Sequence, residues 1–326
     1  MPATRRRFSI AAALAGATAC AALVPRAHAQ SGTVRIVVGF PAGATSDALA
    51  RLVAEHMQRT LKQPVIVENK VGAGGRIANE LVKASPADGG TLLMTPVATM
   101  AIFPHSYAGQ LRYDPIKDFA PVAHLSSFQI GWGTAATAPV STLADYVAWV
   151  KADPAKNGFY ASAAPGSIPH FFGVMFAKSA GLSLTHVPYK GTAAAMTAVA
   201  GGEVSAISTV AADIRALVSG GKARLLAVAG EQRDESFPDV PTFRELGYNW
   251  VDGAYRGIGV PKSTTPAVRK QVSDMMDAIN KDPEMRKKMT EQGFEVTDIT
   301  VEMMPAFMKE RTPEYMKSAK MLGLAK

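Results

Sequence analysis

The sequence predicts an α/β fold with two domains. Short runs rich in β-branched residues alternate with segments of helical periodicity, which is typical of βα units around mainly parallel sheets. Small, glycine-containing turns separate several of these runs from the helices that follow. The chain has 326 residues, and a domain holds about 150 residues on average. We therefore expect two domains.

Residues 1–29 are predicted to be an export signal. Basic residues 5–7 lead into an apolar run over 10–24, and Ala27-His28-Ala29 has the A-x-A pattern of a cleavage site. The paired arginines resemble a twin-arginine signal, although ordinary export signals are basic too. The one cysteine, Cys20, lies in this segment. The mature chain is therefore expected to have no disulfide.

The charge of the mature chain favours small anions as ligands. Removing residues 1–29, which hold four arginines and no acid, lowers the formal charge from +8 to +4. A mild positive excess attracts small anions. No stripe of basic residues interleaved with aromatics is present, so nucleic acid is not an expected partner. No apolar run reaches the roughly 20 residues of a spanning helix.

The first predicted domain begins with two βα units. Residues 34–38 form a strand, and a helix follows over 47–61 with its apolar residues on one face. The next strand covers 65–68, the glycine-rich turn at 72–75 opens a helix through residue 83, and a strand returns at 91–94. This turn lacks the phosphate-loop pattern, so we interpret it as structural and expect no nucleotide cofactor.

The middle of the chain repeats the plan. Strands are predicted at 159–162, 185–189, 204–207 and 223–228, with helices at 169–179, 192–199 and 213–218.

The chain crosses between the domains twice, near residues 126–133 and 249–259. Domain 1 is therefore expected to cover 31–131 plus 253–326, and domain 2 to cover 132–252. Two crossing strands form a hinge, and a ligand would lie in the cleft between the domains. Three C-terminal helices, predicted at 266–280, 283–291 and 301–321, would pack back on domain 1.

Three strand-to-helix junctions share one anion-binding device. They lie at residues 43–47, 162–167 and 191–192. At each junction a helix begins with unpaired amides at the positive end of its dipole, which bind anions. In open α/β sheets, ligands sit beyond the carboxyl ends of the strands. Ordinary helix capping by Thr45, Ser46, Asp47 and Ser167 is the alternative.

No pattern of catalysis or metal binding emerges, so we predict no catalytic residue, no metal and no cofactor. Residues 162–166 do not match G-x-S-x-G. Asp213, at a predicted helix start, is interpreted as a cap or a solvated side chain. Four histidines lack H-x-x-x-H or H-x-H spacing: His105, His124, His170 and His186.

A series of motifs then follows in a fixed order along the mature chain. It contains Phe40-Pro41-Ala42-Gly43 with Asp47, Val67-Glu68-Asn69 before the 72–75 turn, Asp118-Phe119-Ala120-Pro121-Val122, His186-Val187-Pro188-Tyr189-Lys190-Gly191 and Pro238-Asp239-Val240-Pro241-Thr242. This order resembles the Bug family, the periplasmic solute-binding receptors of tripartite tricarboxylate transporters. The resemblance implies the type 2 periplasmic-binding-protein fold, with two α/β domains closing on a small carboxylate.

The resemblance also implies which residues contact the ligand. The first two loops would hold one carboxylate through amides, hydroxyls and bridging waters, and Thr192 and Thr209 would face the rest of the ligand. Arg256, at the second crossing, is a candidate partner for a distal carboxylate; the alternative is a hinge arginine in a surface ion pair. The loop residues are Phe40, Ala42, Gly43, Ala44, Thr45, Ser46 and Asp47 from the first loop, and Ser162, Ala163, Gly166 and Ser167 from the second.

Several positions depart from the family pattern. Ala44 replaces a common second glycine, and Ala163-Ala164-Pro165 replaces a more usual G-x-G stretch. Thr209 stands where many relatives carry an acid, which predicts a ligand without a free amine. Because Asp47 would repel an anionic ligand, we expect it to brace its loop or orient a bridging water.

The leading hypothesis is a monomeric periplasmic receptor. It would capture a mono- or dicarboxylate, including aromatic acids, and deliver it to the membrane permease subunits of a tripartite tricarboxylate transporter. Two alternatives stay open. One is a carboxylate sensor that engages a signalling partner, and the other is an enzyme acting on a carboxylate metabolite.

Overall fold

The computed structural model describes residues 32–107, 109–248, 253–296, 298–303 and 320. The predicted export signal lies outside these residues. Within the part of the chain that is described, no helix combines the length and the apolar character needed to cross a membrane.

Five strands form the first half of a curled, nine-stranded sheet. The order is β2 (Val65–Asn69), β1 (Val34–Val38), β3 (Thr91–Pro96), β9 (Gly253–Pro261) and β4 (Phe119–Ala135). β1 is parallel to both of its neighbours. β9 is antiparallel to both β3 and β4 and lies between them.

The second half of the sheet repeats this arrangement. Here β5 (Phe159–Ser162) is parallel to β6 (Thr185–Pro188) and to β7 (Ala206–Val210). β4 then lies antiparallel to β7 and to β8 (Ala223–Val228). β4 therefore belongs to both halves, which we call the β1 half and the β5 half.

Helices cover both faces of the sheet and position the loops between strands. In chain order they are α1 (Thr45–Leu61), α2 (Arg76–Lys83), α3 (Phe103–Ser106), α4 (Pro115–Asp118), α5 (Leu143–Ala152), α6 (Pro154–Asn157), α7 (Ile168–Ala180), α8 (Thr192–Ala200), α9 (Ala211–Ser219), α10 (Pro266–Lys281) and α11 (Pro283–Glu291). Short 3₁₀ and π turns occupy Ala73–Gly75 and Ala98–Ile102.

Each half has its own hydrophobic core. In the β1 half, α1 and α10 bury Leu49 and Met276 against strand residues such as Ile36. In the β5 half, the ring of Trp132 is fully buried and packs edge-on against Phe176, with ring centroids 4.8 Å apart. Burial of such apolar and aromatic surface is the main stabilising contribution to each half.

The predicted elements match the observed ones closely, and the α/β fold class is confirmed. β7 differs most among the strands, because it runs to Val210 while the sequence predicted a strand over 204–207. The first crossing is a continuous part of β4. The second crossing, predicted near residues 249–259, falls partly on residues outside those described. Most of the helix predicted at 301–321 also lies outside them. Of this segment, residues 301–303 form a turn. The domain boundaries stay a prediction.

Candidate ligand-binding site

Three loops at the carboxyl ends of strands come together between the two halves. They are the first loop (39–44), the second loop (163–167) and the third loop (189–191). The amide of Gly191 donates to the carbonyl oxygen of Ala163 at 3.0 Å, which joins the second and third loops. A Cβ atom at Gly191 would lie 2.8 Å from Cγ of Pro41, so the first loop packs against the third.

The first loop is held by Asp47. Its Oδ2 accepts the amide of Gly43 at 2.9 Å and Nε of Arg51 at 2.9 Å, and its Oδ1 accepts Nδ2 of Asn69 at 2.9 Å. The same Asn69 amide donates to the carbonyl oxygen of Phe40 at 3.0 Å. Asp47 therefore braces both ends of the first loop, as the sequence led us to expect.

The negative charge of Asp47 is stabilised by hydrogen-bond donors of the protein. The carboxyl is 2 % exposed, and burial alone would raise its pKa. The hydrogen bonds from Arg51, Gly43 and Asn69 outweigh that effect and hold its pKa below the usual value. An ionised Asp47 with all of these partners acts as a structural anchor.

The start of α1 is not capped by its own side chains. The N-cap residue is Ala44, which has no capping hydroxyl. The hydroxyls of Thr45 and Ser46 instead accept hydrogen bonds from Nη2 and Nε of Arg256, the latter at 3.0 Å. Simple N-capping by Thr45 and Ser46 is therefore the wrong interpretation.

Arg256 reaches this position from β9. It is 3 % exposed, and its guanidinium lies over the ring of Phe128, 4.1 Å from the centroid. Burial lowers the pKa of Arg256 to about 10, opposed by the nearby Asp213, so it stays charged at neutral pH. The alternative of a hinge arginine in a surface ion pair is wrong, because the side chain is buried.

Asp213, the third residue of α9, faces the same group. Burial raises the pKa of its carboxyl, and attraction to Arg256 opposes that rise. The side chain is half-exposed, so its interpretation as a solvated side chain is only partly right. Because the acidic Asp213 faces this part of the site, the lack of an acid at position 209 no longer argues against a ligand with an amine group.

The second loop is organised by two histidines. The amide of Gly166 donates to Nδ1 of His170 at 3.0 Å, and Oγ of Ser162 lies 2.7 Å from Nε2 of His186. Ser167 caps α7, because its Oγ accepts the amide of His170. The Gly166 amide and the hydroxyls of Ser162 and Ser167 were all predicted to contact ligand. They are engaged with other groups of the protein, which are His170, His186 and the carbonyl oxygen of Ala164.

The two imidazoles stack with ring centroids 3.9 Å apart. Burial lowers the pKa of His170 to about 4 and, with the neighbouring His170, that of His186 to about 3. Both rings are therefore neutral at physiological pH, and the His170 ring carries its proton on Nε2 because Nδ1 accepts a hydrogen bond.

The remaining predicted residues occupy different environments. Ala42 and Gly43 are exposed at the tip of the first loop, and Thr192 begins α8. Thr209 is 3 % exposed on β7, opposite Gly131 of β4.

Tyr107 contributes a contact that the sequence did not indicate. Its hydroxyl donates to the carbonyl oxygen of Pro165 in the second loop at 3.2 Å, and the guanidinium of Arg76 lies 4.1 Å from its ring centroid. The motif Val67-Glu68-Asn69 could have indicated from the sequence that Asn69 has a role in the site. No feature of the sequence near Tyr107 indicated a contact with the second loop. Among the described residues, no cluster of three or more potential ligands could hold a metal ion.

The comparisons with known proteins now decide the family. The tripartite tricarboxylate transporter family receptor, TctC, matches residues 49–323. The chain belongs to the TctC receptor family. The resemblance to Bug receptors is thereby confirmed. A UPF0065 protein of Cupriavidus necator is 32% identical over 99% of both chains, and BugT of Bordetella pertussis is 31% identical over 72% of both.

Solved structures of similar proteins support the TctC fold. An R. palustris protein with adipate has a TM-score of 0.85 and 28% identity, over 90% of this chain and 98% of that one. MatC of Rhodopseudomonas palustris with bound malate has a TM-score of 0.81 and 27% identity, over 88% and 98%. The predicted periplasmic-binding-protein architecture is confirmed. The TctC family and these neighbours are solute-binding receptors, not enzymes.

Proposed function

We propose that this receptor captures a small mono- or dicarboxylate in the periplasm and delivers it to the membrane permease of a tripartite tricarboxylate transporter. The observation that carries the proposal is the buried, charged Arg256 at the start of α1, where three loops meet. Guanidinium groups and helix amides are the donors that bind carboxylates best in proteins. Adipate and malate, bound by two structural neighbours, are both dicarboxylates.

Capture would couple to closure of the two halves. The donors come from both sides, since Thr45 and Arg256 belong to the β1 half and Thr192 to the β5 half. A ligand that contacts both sides is bound more tightly in the closed arrangement, and this difference in affinity drives closure. Residues 1–29 would act as the export signal, cleaved near Ala29, and the mature receptor would act as a monomer.

A thermal-shift screen tests the proposal. The mature protein is heated with a panel that includes malate, adipate, tricarboxylates and aromatic acids. A ligand at about 100 times its dissociation constant raises the free energy of unfolding by about 2.7 kcal/mol, so the midpoint should rise by several degrees. Methyl esters of the same acids are the matched control, because they keep the carbon chain without the charge.

Arg256→Lys sharpens the test. Lysine keeps the charge but cannot donate to Thr45 and Ser46 with a planar fork. We expect any acid that shifts the wild-type midpoint to shift the variant much less. The proposal would be refuted if no acid stabilised the wild type, or if esters and acids stabilised it equally.

A further inference from the structure

The chain segment that follows β3 starts in the β1 half and packs into the core of the β5 half. The amide of Val97 donates to the carbonyl oxygen of Tyr255 on β9 at 3.1 Å, which fixes the start of the segment. Val97 and Phe103 belong to the same buried apolar cluster as Phe171 of α7. The segment therefore links the two halves next to the ligand site.

Tyr107 ends this segment, and its ring is held by groups of the β1 half. The amide of Tyr107 donates to the carbonyl oxygen of Phe103 at 2.9 Å, and the two rings pack edge-on with centroids 5.1 Å apart. The guanidinium of Arg76 lies 4.1 Å from the centroid of the Tyr107 ring. A side chain that is already held in place loses little freedom when it makes a further contact.

The hydroxyl of Tyr107 makes that further contact with the β5 half. It donates to the carbonyl oxygen of Pro165, in the second loop, at 3.2 Å. The next residue, Gly166, is buried and has a φ of +71°, in the region that favours glycine. A Cβ atom on Gly166 would lie 2.9 Å from the hydroxyl oxygen and 3.0 Å from Cε2 of Tyr107. The Tyr107 ring therefore packs directly on the backbone of the second loop.

The second loop approaches the β1 half at one more point. A Cβ atom on Gly74, in the turn before α2, would lie 3.1 Å from Cζ of Phe103 and 3.9 Å from Cβ of Ala164. The β1 half thus contacts the second loop on both sides of Pro165.

We propose that Tyr107 is a positioning residue that clasps the second loop to the β1 half and so holds the two halves together beside the ligand site. The effect on affinity rests on the proposed function, whereas the clasp itself does not. A receptor binds its ligand in proportion to the fraction of molecules that already have the binding arrangement. Loss of the clasp therefore weakens ligand binding through the second loop.

Two variants and their matched controls isolate the clasp. Tyr107→Phe removes the hydrogen bond and keeps the ring. Tyr113→Phe is its control, because the hydroxyl of Tyr113 donates to the carbonyl oxygen of Thr99 at 2.6 Å, within the β1 half. Gly166→Ala places a methyl group against the Tyr107 ring. Gly181→Ala is its control, because φ is +61° there as well and the added Cβ atom would meet open space.

The first measurement needs no ligand. Cysteine is absent from the sequence after Cys20, so the mature chain can be spin-labelled at Gln58→Cys and Lys178→Cys, both exposed, on α1 and α7. Electron–electron resonance then gives the distance distribution between the halves. We expect Tyr107→Phe and Gly166→Ala to shift it to longer distances and both controls to leave it unchanged. Distributions identical to the wild type in both variants, or equal shifts in the controls, would overturn the clasp.

The second measurement titrates malate and adipate into each variant by calorimetry. We expect Tyr107→Phe to weaken binding about fivefold, equal to about 1 kcal/mol, which is typical of one hydrogen bond. Tyr113→Phe should bind like the wild type. Equal affinities of Tyr107→Phe and the wild type, or equal weakening by Tyr113→Phe, would overturn the role of Tyr107 in ligand binding. If neither acid bound the wild type, binding of these two acids would be refuted, and the distances would still decide whether Tyr107 clasps the second loop.

Discussion

At the scale of single residues, Asp47 shows how an acid braces a loop that we propose as part of an anion site. Asp47→Ala removes the acceptor of the Gly43 amide and one of the two acceptors of the Asn69 side-chain amide. A lost hydrogen bond costs about 0.5–1.5 kcal/mol, so we expect a loss of stability of about 1–3 kcal/mol, measured by urea unfolding, and a loss of affinity. Asp47→Asn keeps one acceptor oxygen and should retain much of the affinity.

Arg51→Gln is the matched control for Asp47. It removes the charged partner on the exposed side, where the Arg51 side chain is 55 % exposed. Exposed ion pairs contribute about 0–1 kcal/mol, so this variant should stay near the wild type. A loss as large as that of Asp47→Ala would mean that the ion pair, and not the loop contact, carries the effect.

The attraction between Arg256 and Asp213 predicts non-additive effects on stability. Arg256→Gln removes the positive charge that attracts the Asp213 carboxylate. The two side chains form no direct ion pair and Asp213 is half-exposed, so we expect a coupling free energy of about 1 kcal/mol in a double-mutant cycle with Asp213→Asn. Additive losses would argue against the attraction.

The sequence predicted Asp47 better than Asp213 for a physical reason. The role of Asp47 followed from local repulsion between an acid and an anion a few residues away. The electrostatic environment of Asp213 depends on Arg256, which is distant in the sequence and comes near only through the fold. A carboxylate at a helix start has an ordinary explanation as a cap, and only the folded arrangement rules it out.

At the scale of elements, α7 depends on a residue without a side chain. A Cβ atom at Gly173 would lie 2.2 Å from Cε2 of Tyr160, whose hydroxyl donates to the carbonyl oxygen of His170 at 2.9 Å. Gly173→Ala should therefore destabilise the protein by about 1–3 kcal/mol, although alanine favours helix by about 1 kcal/mol. The free energy of unfolding in urea measures the balance.

Lys178→Ala, at an exposed position of the same helix, serves as its control and should change stability by less than about 0.5 kcal/mol. A stabilised Gly173→Ala would show that Tyr160 moves without cost.

Elements were easier to predict than loops. Hydrophobic periodicity is a local signal, and it located α11 over the same residues that the structure shows. The second loop was harder, because the hydrogen bond between the Gly166 amide and His170 joins the loop to a side chain of α7. The contact of Ser162 with His186 joins two strands and has no local signal.

At the scale of the whole molecule, the buried His124 and the half-buried His170 and His186 predict sensitivity to acid. Histidine in an unfolded chain titrates near 6.5, whereas burial lowers the pKa of His124 and His170 to about 4 and that of His186 to about 3. Between these values the unfolded chain binds more protons. Stability should therefore be full above pH 6.5 and fall below it, by up to about 1.4 kcal/mol per pH unit per histidine.

Glu295 acts in the opposite direction. Burial raises its pKa to about 6, so its contribution to stability grows as the pH falls from about 6 towards its unfolded value of about 4.3. Burial likewise raises the pKa of Asp213, Asp234 and Asp277, so Glu295 and these three carboxyls together reduce the slope that the three histidines produce.

His186→Gln tests the histidine contribution directly. Glutamine can still reach Ser162 but cannot titrate, so the slope of the unfolding free energy between pH 6 and 4 should decrease by about 1.4 kcal/mol per pH unit. Urea unfolding at a series of pH values measures it. An unchanged slope would show that His186 is protonated as easily in the folded protein as in the unfolded chain.

The sharing of β4 by both halves has a mechanical consequence. Residues 119–135 form one continuous strand, with register shifts at Pro121/Ala123, His124/Ser126 and Trp132/Gly133. Such irregularities bend and twist a strand locally. Any change in the angle between the two halves must bend β4. We expect the bending to be concentrated at the three register shifts. We therefore expect a restoring force that grows with the opening angle, and a narrow range of angles instead of a freely swinging joint.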